Sequence, residues 1–264
     1  GWRNSTYKTW IGGPDRQPSE FQMEAGERAI GEVFTELWEP ISEGGYLDQL
    51  MDDDNDPNSP MVPRRDAYIN MYVMGTDKVV NGMQRRTSVN QDLFCVTSAA
   101  AFQAALKLLA PDRCMDEEYF TYWMYSGCGI VLAPHESLQF SPKGLSLETH
   151  GHLNGAYDGN YGPHGAAIIT DLAFITGDEK IKEKAILAQN ALTYFNETIQ
   201  NHENYISIRR EYNINTRNYK GPGHIEYAAW NNFSAAGLGS KDAVRSMELF
   251  IEYGELYLSS LVSD

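Results

Sequence analysis

Apolar residues recur at the spacing of an α-helix over much of this chain, and that pattern limits the possible folds more than any other feature. It predicts helices over residues 94–109, 117–132, 166–176, 178–199 and 241–261. No run of alternating β-branched residues is long enough for a large sheet, and only residues 205–209 indicate a short strand. The sequence therefore predicts an all-α or mainly α fold.

The connections between these helices are of two kinds. Asp178 directly follows Gly177 and is a good N-cap for the helix that comes next, so residues 176–178 indicate a tight joint between antiparallel helices. The other connections are long and rich in glycine, proline, asparagine and aromatic residues, at 43–65, 134–163 and 206–224. Helical hairpins whose long loops gather at one end favour an (α/α) toroid, in which successive hairpins surround a cleft.

The length of the chain is consistent with one domain over residues 1–264. With 264 residues, of which 42% are hydrophobic, the chain can bury a substantial core. The predicted helices are too few to close a toroid, and Gly1 is not an initiator methionine. We therefore expect part of the N-terminal sequence to be missing.

The charge of the chain excludes some partners. A formal net charge of -15 argues against a surface that binds nucleic acid or an anionic membrane, because both favour clustered Lys and Arg. No apolar run is long enough to span a membrane. The three cysteines lack metal-type CxxC spacing, and Cys95 in its apolar run indicates a core position. We expect no metal or cofactor, and the sequence leaves the oligomeric state open.

Reactive side chains are densest in residues 148–164. This segment holds three of the six histidines and two tyrosines, together with glycines that let the backbone turn tightly. A histidine and a tyrosine together can form an acid/base pair, because their ordinary pKa values bracket neutrality. Any one of these residues is more simply explained as a loop cap or a packed ring. Their grouping favours a catalytic loop, with Tyr161 held just before a helix that starts near Gly162 and Pro163.

The same segment contains a spaced set of residues that recurs in a known family: His152, Asn154, Ala156, Tyr157, Gly159, Tyr161 and Gly162. This set resembles the catalytic stretch of the hyaluronate and chondroitin AC lyases, over residues 152–162 only. The resemblance implies that His152 is the catalytic base and Tyr161 the catalytic acid. It also implies an (α/α) toroid followed by β-domains, which are absent from this chain.

The resemblance extends to two other short motifs. That family, like the toroid alginate lyases, has an Asn on an upstream helix that holds the substrate carboxyl group. Asn90–Gln91, which opens the helix that continues through Phe94, matches in kind and order. The second position is usually His in the toroid alginate lyases, so Gln91 is a departure. A downstream Arg of the family corresponds to Arg209 or Arg210, and the bulky aromatic patch that accompanies the Asn is reduced here.

β-Elimination explains why these residue types belong together. The carbon-bound proton beside a uronate carboxylate is too weakly acidic for His or Tyr until hydrogen bonds from a group such as Asn90 stabilise the developing charge. His152 then takes the proton and Tyr161 protonates the leaving oxygen, or Tyr161 performs both steps. The expected substrate-binding residues are polar or basic groups near these motifs: Gln91, Arg86, His150, Tyr157, His164, Arg209 and Arg210.

The sequence therefore predicts a polysaccharide lyase that acts on an anionic polymer, alginate or a related unsulfated uronan. Few basic residues are available to meet sulfate groups. We expect a secreted or periplasmic protein. An inverting glycoside hydrolase on the same toroid is the alternative hypothesis. It would need two carboxylic acids, for which Glu148, Asp158 and Glu226 are available. A non-catalytic carbohydrate-binding protein is the third hypothesis.

Overall fold

The computed structural model describes residues 25–53, 58–82, 89–131, 140–148, 156–157, 162–193, 196–200, 206–210, 237–239 and 244. Within these residues the protein is mainly α-helical, as predicted. The helices are α1 (Ala25–Glu36), α2 (Trp38–Glu43), α3 (Arg64–Gly82), α4 (Val89–Leu109), α5 (Glu117–Gly127), α6 (Gly162–Thr176) and α7 (Glu179–Thr193). The strands are β1 (Leu50–Met51), β2 (Val62–Pro63), β3 (Leu147–Glu148), β4 (Ala156–Tyr157), β5 (Asn196–Gln200) and β6 (Ile206–Arg210).

The chain divides into two compact units. The first comprises Gly1–Arg86 with Gln91–Gly127, and the second comprises Thr87–Asn90 with Cys128–Asp264. Each two-stranded sheet lies within one unit, with β1 pairing β2 in the first and β3–β4 and β5–β6 in the second. The single domain over residues 1–264 stays a prediction.

Helix α4 supplies much of the core of the first unit. Its side chains are apolar around most of the helix, and Leu93, Ala99 and Leu106 are fully buried. By length and composition, the stretch Asp92–Leu109 could cross a membrane, but 78% of it is buried inside the protein. Burial to that extent is typical of a core helix, and the absence of a membrane span stays a prediction.

An aromatic cluster joins α1, α3 and α4 in the first unit. The Phe34 ring on α1 lies 5.7 Å, centroid to centroid, from the rings of Trp38, Tyr68 and Tyr72. The Tyr72 ring in turn lies 5.3 Å from the ring of Phe102 on α4. Tilted and edge-on aromatic pairs add about 0.5–1.5 kcal/mol each beyond the area they bury. These rings therefore fix how the three helices pack.

Polar contacts accompany this core. The buried Gln103 amide donates to the Thr76 hydroxyl at 3.0 Å and accepts from the Met115 backbone N–H at 2.8 Å. Trp123 is partly buried against the core and stacks on Phe120. Trp123 therefore packs against the core of the first unit. Cys95 is buried as predicted, and none of Cys95, Cys114 and Cys128 forms a disulfide bond.

The helical joint in the second unit has the predicted form. Gly177 adopts a φ of 63° and donates its N–H to the Ala173 carbonyl, which ends α6. The Asp178 carboxylate then accepts hydrogen bonds from the N–H groups of Lys180 and Ile181, at 2.9 and 3.0 Å. Asp178 is therefore the N-cap of α7, and the predicted tight joint is confirmed.

Two predicted helices are too long. The helix predicted over 117–132 ends at Gly127, and a turn follows in which Gly129 has a φ of 64°. The helix predicted over 178–199 ends at Thr193, because Asn196–Gln200 is the strand β5. β-Branched Thr198 and Ile199 favour a strand once a partner is present. The helix predicted over 241–261 lies outside the described residues, apart from helical Val244.

The partner of β5 is the strand predicted at residues 205–209, which the structure places at Ile206–Arg210 as β6. The two strands run antiparallel, with Thr198 opposite Ile208 at the centre of the register. The prediction of a short strand is confirmed. Its partner was predicted as helix, which was wrong.

Candidate functional site

The predicted site residues are only partly described. The catalytic candidates His152 and Tyr161 lie outside the described residues, as do Arg86 and His150. For the other candidates the structure describes the backbone alone: Asn90, Gln91, Tyr157, His164, Arg209 and Arg210. What the structure does define is the framework from which residues 149–155 and 158–161 extend.

Strands β3 and β4 hold the two ends of the segment that contains His152. They pair antiparallel, with Leu147 opposite Tyr157 and Glu148 opposite Ala156. Directly opposed residues of an antiparallel pair have Cα atoms about 4.5–5.5 Å apart. Glu148 and Ala156, the described residues on either side of 149–155, therefore lie close together.

A tight turn carries the chain into β3. The Ser141 N–H donates to the Leu145 carbonyl at 2.7 Å, and the Leu145 N–H donates to the Ser141 hydroxyl at 3.0 Å. Gly144 has a φ of 91° within this turn. A Cβ atom at position 144 would stand 2.7 Å from the carbonyl carbon of Leu187. The turn therefore lies directly against the backbone of α7, as only a glycine allows.

The start of this turn is also held against α7. Phe140 is fully buried and forms an isolated bridge with Ser146. The Lys184 ammonium of α7 lies 5.0 Å from the centroid of the Phe140 ring, within the range of a cation–π contact. Burial lowers the pKa of Lys184, and Cys128 acts in the opposite direction. Phe140 and Gly144 thus fix the turn at two points of one helix.

Helix α6 begins where the second candidate segment ends. Its first residue is Gly162, followed by Pro163, as the sequence predicts, and His164 lies in its first turn. The buried Gln189 amide of α7 donates to the Ala166 carbonyl at 3.0 Å and to the Thr170 hydroxyl at 3.1 Å. These bonds hold the beginning of α6 against α7. The start of α6, which follows Tyr161 in the sequence, is therefore fixed in place.

The remaining candidates lie on two other elements. Asn90 and Gln91 are in the first turn of α4, as predicted. Arg209 lies opposite Glu197 and Arg210 opposite Asn196 in the β5–β6 register. Successive positions of a strand belong to opposite faces of the sheet. Positions 209 and 210 are therefore not equivalent, which the sequence alone left undecided.

One feature of the first unit was not predicted. Tyr46, Arg64 and Tyr68 form a hydrogen-bonded cluster beside an apolar groove. These residues come from a short helical turn and from α3, and no motif or spacing in the sequence connects them. Among the described residues, no cluster of His, Cys, Asp and Glu side chains is arranged to hold a metal ion.

A scan against protein-family models and searches of curated proteins and of solved structures found no match to this chain.

Proposed function

We propose that this protein is a polysaccharide lyase that cleaves a uronic-acid polymer, alginate or a related unsulfated uronan, on an (α/α) toroid. The observation that supports the proposal is the framework around residues 149–161. The pairing of Glu148 with Ala156 holds one end of this segment, and the start of α6 at Gly162 holds the other. The proposed base and acid both belong to this segment, and both of its ends are held by secondary structure; proton transfer on both sides of one sugar bond requires the two groups to be positioned together.

In the proposed mechanism, the substrate carboxylate is engaged first. Asn90 donates hydrogen bonds to it, and these bonds strengthen as negative charge develops in the transition state. The position of Asn90 in the first turn of α4 favours this role, because the N-terminal end of a helix carries partial positive charge. Gln91 and Arg86 are its proposed neighbours in carboxylate binding.

Two further side chains carry the protons. His152 removes the proton beside the carboxylate, and Tyr161 protonates the departing glycosidic oxygen. If proton and leaving group lie on one face of the sugar, Tyr161 performs both transfers. His150, Tyr157 and His164 bind neighbouring sugar hydroxyls in this scheme, and no metal ion or cofactor takes part.

The arginines are proposed to bind a second carboxylate of the polymer. A guanidinium can bind a carboxylate through two hydrogen bonds. An arginine also supplies positive charge locally in a protein that is acidic as a whole. Because positions 209 and 210 belong to opposite faces of the β5–β6 sheet, only one of Arg209 and Arg210 has this role.

The test is an assay on a panel of uronate polymers: alginate, glucuronan, hyaluronan and chondroitin. β-Elimination creates a carbon–carbon double bond beside the carboxylate, and its ultraviolet absorbance is followed with time. We expect absorbance with alginate or glucuronan. The Tyr161→Phe variant keeps the ring but loses the proton, so it should lose about a hundredfold or more of this activity.

The other outcomes identify the alternatives. New reducing ends without the absorbance would indicate a hydrolase, for which Glu148 on β3 is an available carboxylic acid. Binding of a polymer without either product would indicate a carbohydrate-binding protein. A Tyr161→Phe variant that stays folded and fully active would contradict the assigned acid, and Tyr157 or His164 would then be tested in its place.

A further inference from the structure

The first unit has an open groove bounded by α1, α2 and the start of α3. Its volume is about 710 Å³, within the range of about 300–1,000 Å³ for sites that hold small molecules. One wall is aliphatic and includes Ile30, Val33, Leu37 and Ile41. Val33 is 54% exposed and Leu37 48% exposed. Such a wall suits hydrocarbon rather than the hydroxyl groups of a sugar.

The residues with polar groups that line the groove are Tyr46, Gln49, Tyr68 and Tyr72. The Tyr46 hydroxyl accepts a hydrogen bond of 2.7 Å from Nη1 of Arg64 and lies 3.2 Å from the Tyr68 hydroxyl. Burial, followed by the hydrogen bond with Tyr46, raises the pKa of Tyr68. The Tyr68 phenol therefore keeps its proton at neutral pH and serves as a hydrogen-bonding group.

Arg64 does not itself line the groove, but its hydrogen bond places a positive charge next to the Tyr46 hydroxyl. Its guanidinium carbon lies 4.4 Å from the centroid of the Tyr46 ring, and its Nε atom is buried without a hydrogen-bond partner. Within the part of the chain that the structure describes, no carboxylate forms an ion pair with Arg64. Among the described residues, Arg64 is thus a half-buried cation with no paired carboxylate, which favours an anionic group nearby.

We propose that this groove binds a small organic anion with an apolar body, of the class of medium-chain fatty acids. The carboxylate lies at Tyr46 and Tyr68, next to Arg64, and the hydrocarbon chain lies along Val33 and Leu37. This site involves none of the residues of the proposed lyase mechanism. The two functions are therefore tested separately.

Isothermal titration calorimetry with three probes tests the proposal on the unmodified protein. Octanoate has both the apolar body and the anionic head, 1-octanol has the body alone, and acetate has the head alone. Because a hydrogen bond to a charged group is worth more than a neutral one, octanoate should bind roughly tenfold more tightly than octanol. Acetate should show no measurable binding. Equal affinity for octanoate and octanol, or binding of neither, would overturn the proposal.

Variants locate the site. Leu37→Asp places a charge on the apolar wall and should weaken octanoate binding at least tenfold. Leu108→Asp is the matched control, because Leu108 is 38% exposed in the same unit but does not line the groove. Arg64→Gln should reduce octanoate binding to the level of octanol. Equal effects of the two Leu variants would refute the assigned site.

Another copy of this chain is the alternative occupant that the test must separate from a small ligand. Sedimentation of the unmodified protein without ligand distinguishes that case. We expect that the groove does not mediate self-association, so Leu37→Asp should leave the sedimentation of the protein unchanged. A dimer that dissociates on this substitution and excludes octanoate would overturn the small-ligand proposal.

Discussion

Gly144→Ala should destabilise the second unit far more than Gly177→Ala, although both glycines have positive φ angles of 91° and 63°. An L-residue in the left-handed region costs about 1–2 kcal/mol, and alanine recovers about 0.4–1 kcal/mol by restricting the unfolded chain. No atom of the residues that the structure describes lies within 4 Å of a Cβ at position 177. The expected net loss for Gly177→Ala is therefore about 1 kcal/mol.

At position 144 a steric cost is added. The new Cβ would stand 2.7 Å from the carbonyl carbon of Leu187 and 2.9 Å from its Cγ. The carbonyl carbon belongs to the backbone of α7, which cannot move aside as a flexible side chain does. Overpacking of this kind costs about 1–3 kcal/mol. The total for Gly144→Ala is therefore about 3 kcal/mol, roughly 2 kcal/mol more than for Gly177→Ala.

Urea unfolding followed by circular dichroism measures both losses against the unmodified protein. If the proposed function holds, Gly144→Ala should also lose more lyase activity than Gly177→Ala. The reason is that the turn at Gly144 leads into β3 and the segment that contains His152. Gly177→Ala serves as the control for the backbone conformation alone. Equal losses of unfolding free energy in the two variants would refute the close contact between the turn and α7.

Four further predictions concern the proposed chemistry. Asn90→Ala should lower kcat by about a hundredfold to a thousandfold with a smaller change in KM. Steady-state kinetics on the preferred polymer measure both constants, and an unchanged kcat would contradict the role of Asn90. Elimination by the unmodified protein should rise from acid towards neutral pH, since only a neutral imidazole accepts a proton and an ordinary His has a pKa of about 6.5. His152→Ala should remove most of the activity if His152 is the sole base, and less if Tyr161 carries both protons, which pH–rate profiles of the variant distinguish. Of Arg209→Ala and Arg210→Ala, one should raise KM clearly and the other little, and equal effects would contradict their separation on opposite faces of the strand.

The features predicted correctly from the sequence depend on residues close together in the chain. The joint at Gly177 and Asp178 requires hydrogen bonds to positions no more than four residues away. The starts of α4 and α6 are likewise marked by short motifs, Asn90–Gln91 and Gly162–Pro163. Helix periodicity and capping are local properties, so a single sequence contains the information for them.

The candidate site could be predicted only as a set of side chains, because its framework depends on distant residues. That Gly144 must be glycine follows from the backbone of Leu187, which lies far along the chain. The residues at 196–200 form a strand because residues 206–210 supply its hydrogen-bond partners, and periodicity alone predicted a helix there.

The sequence by itself determined the mainly α-helical character, the capped joint at Asp178 and the density of reactive side chains over residues 148–164. Only the tertiary structure decided that a turn at Gly144 packs on α7, and that Tyr46, Arg64 and Tyr68 meet beside an apolar groove. The physical reason is the range of the interactions. A helix forms its hydrogen bonds four residues apart, whereas a close backbone contact or a polar cluster needs groups that come together only when the core packs.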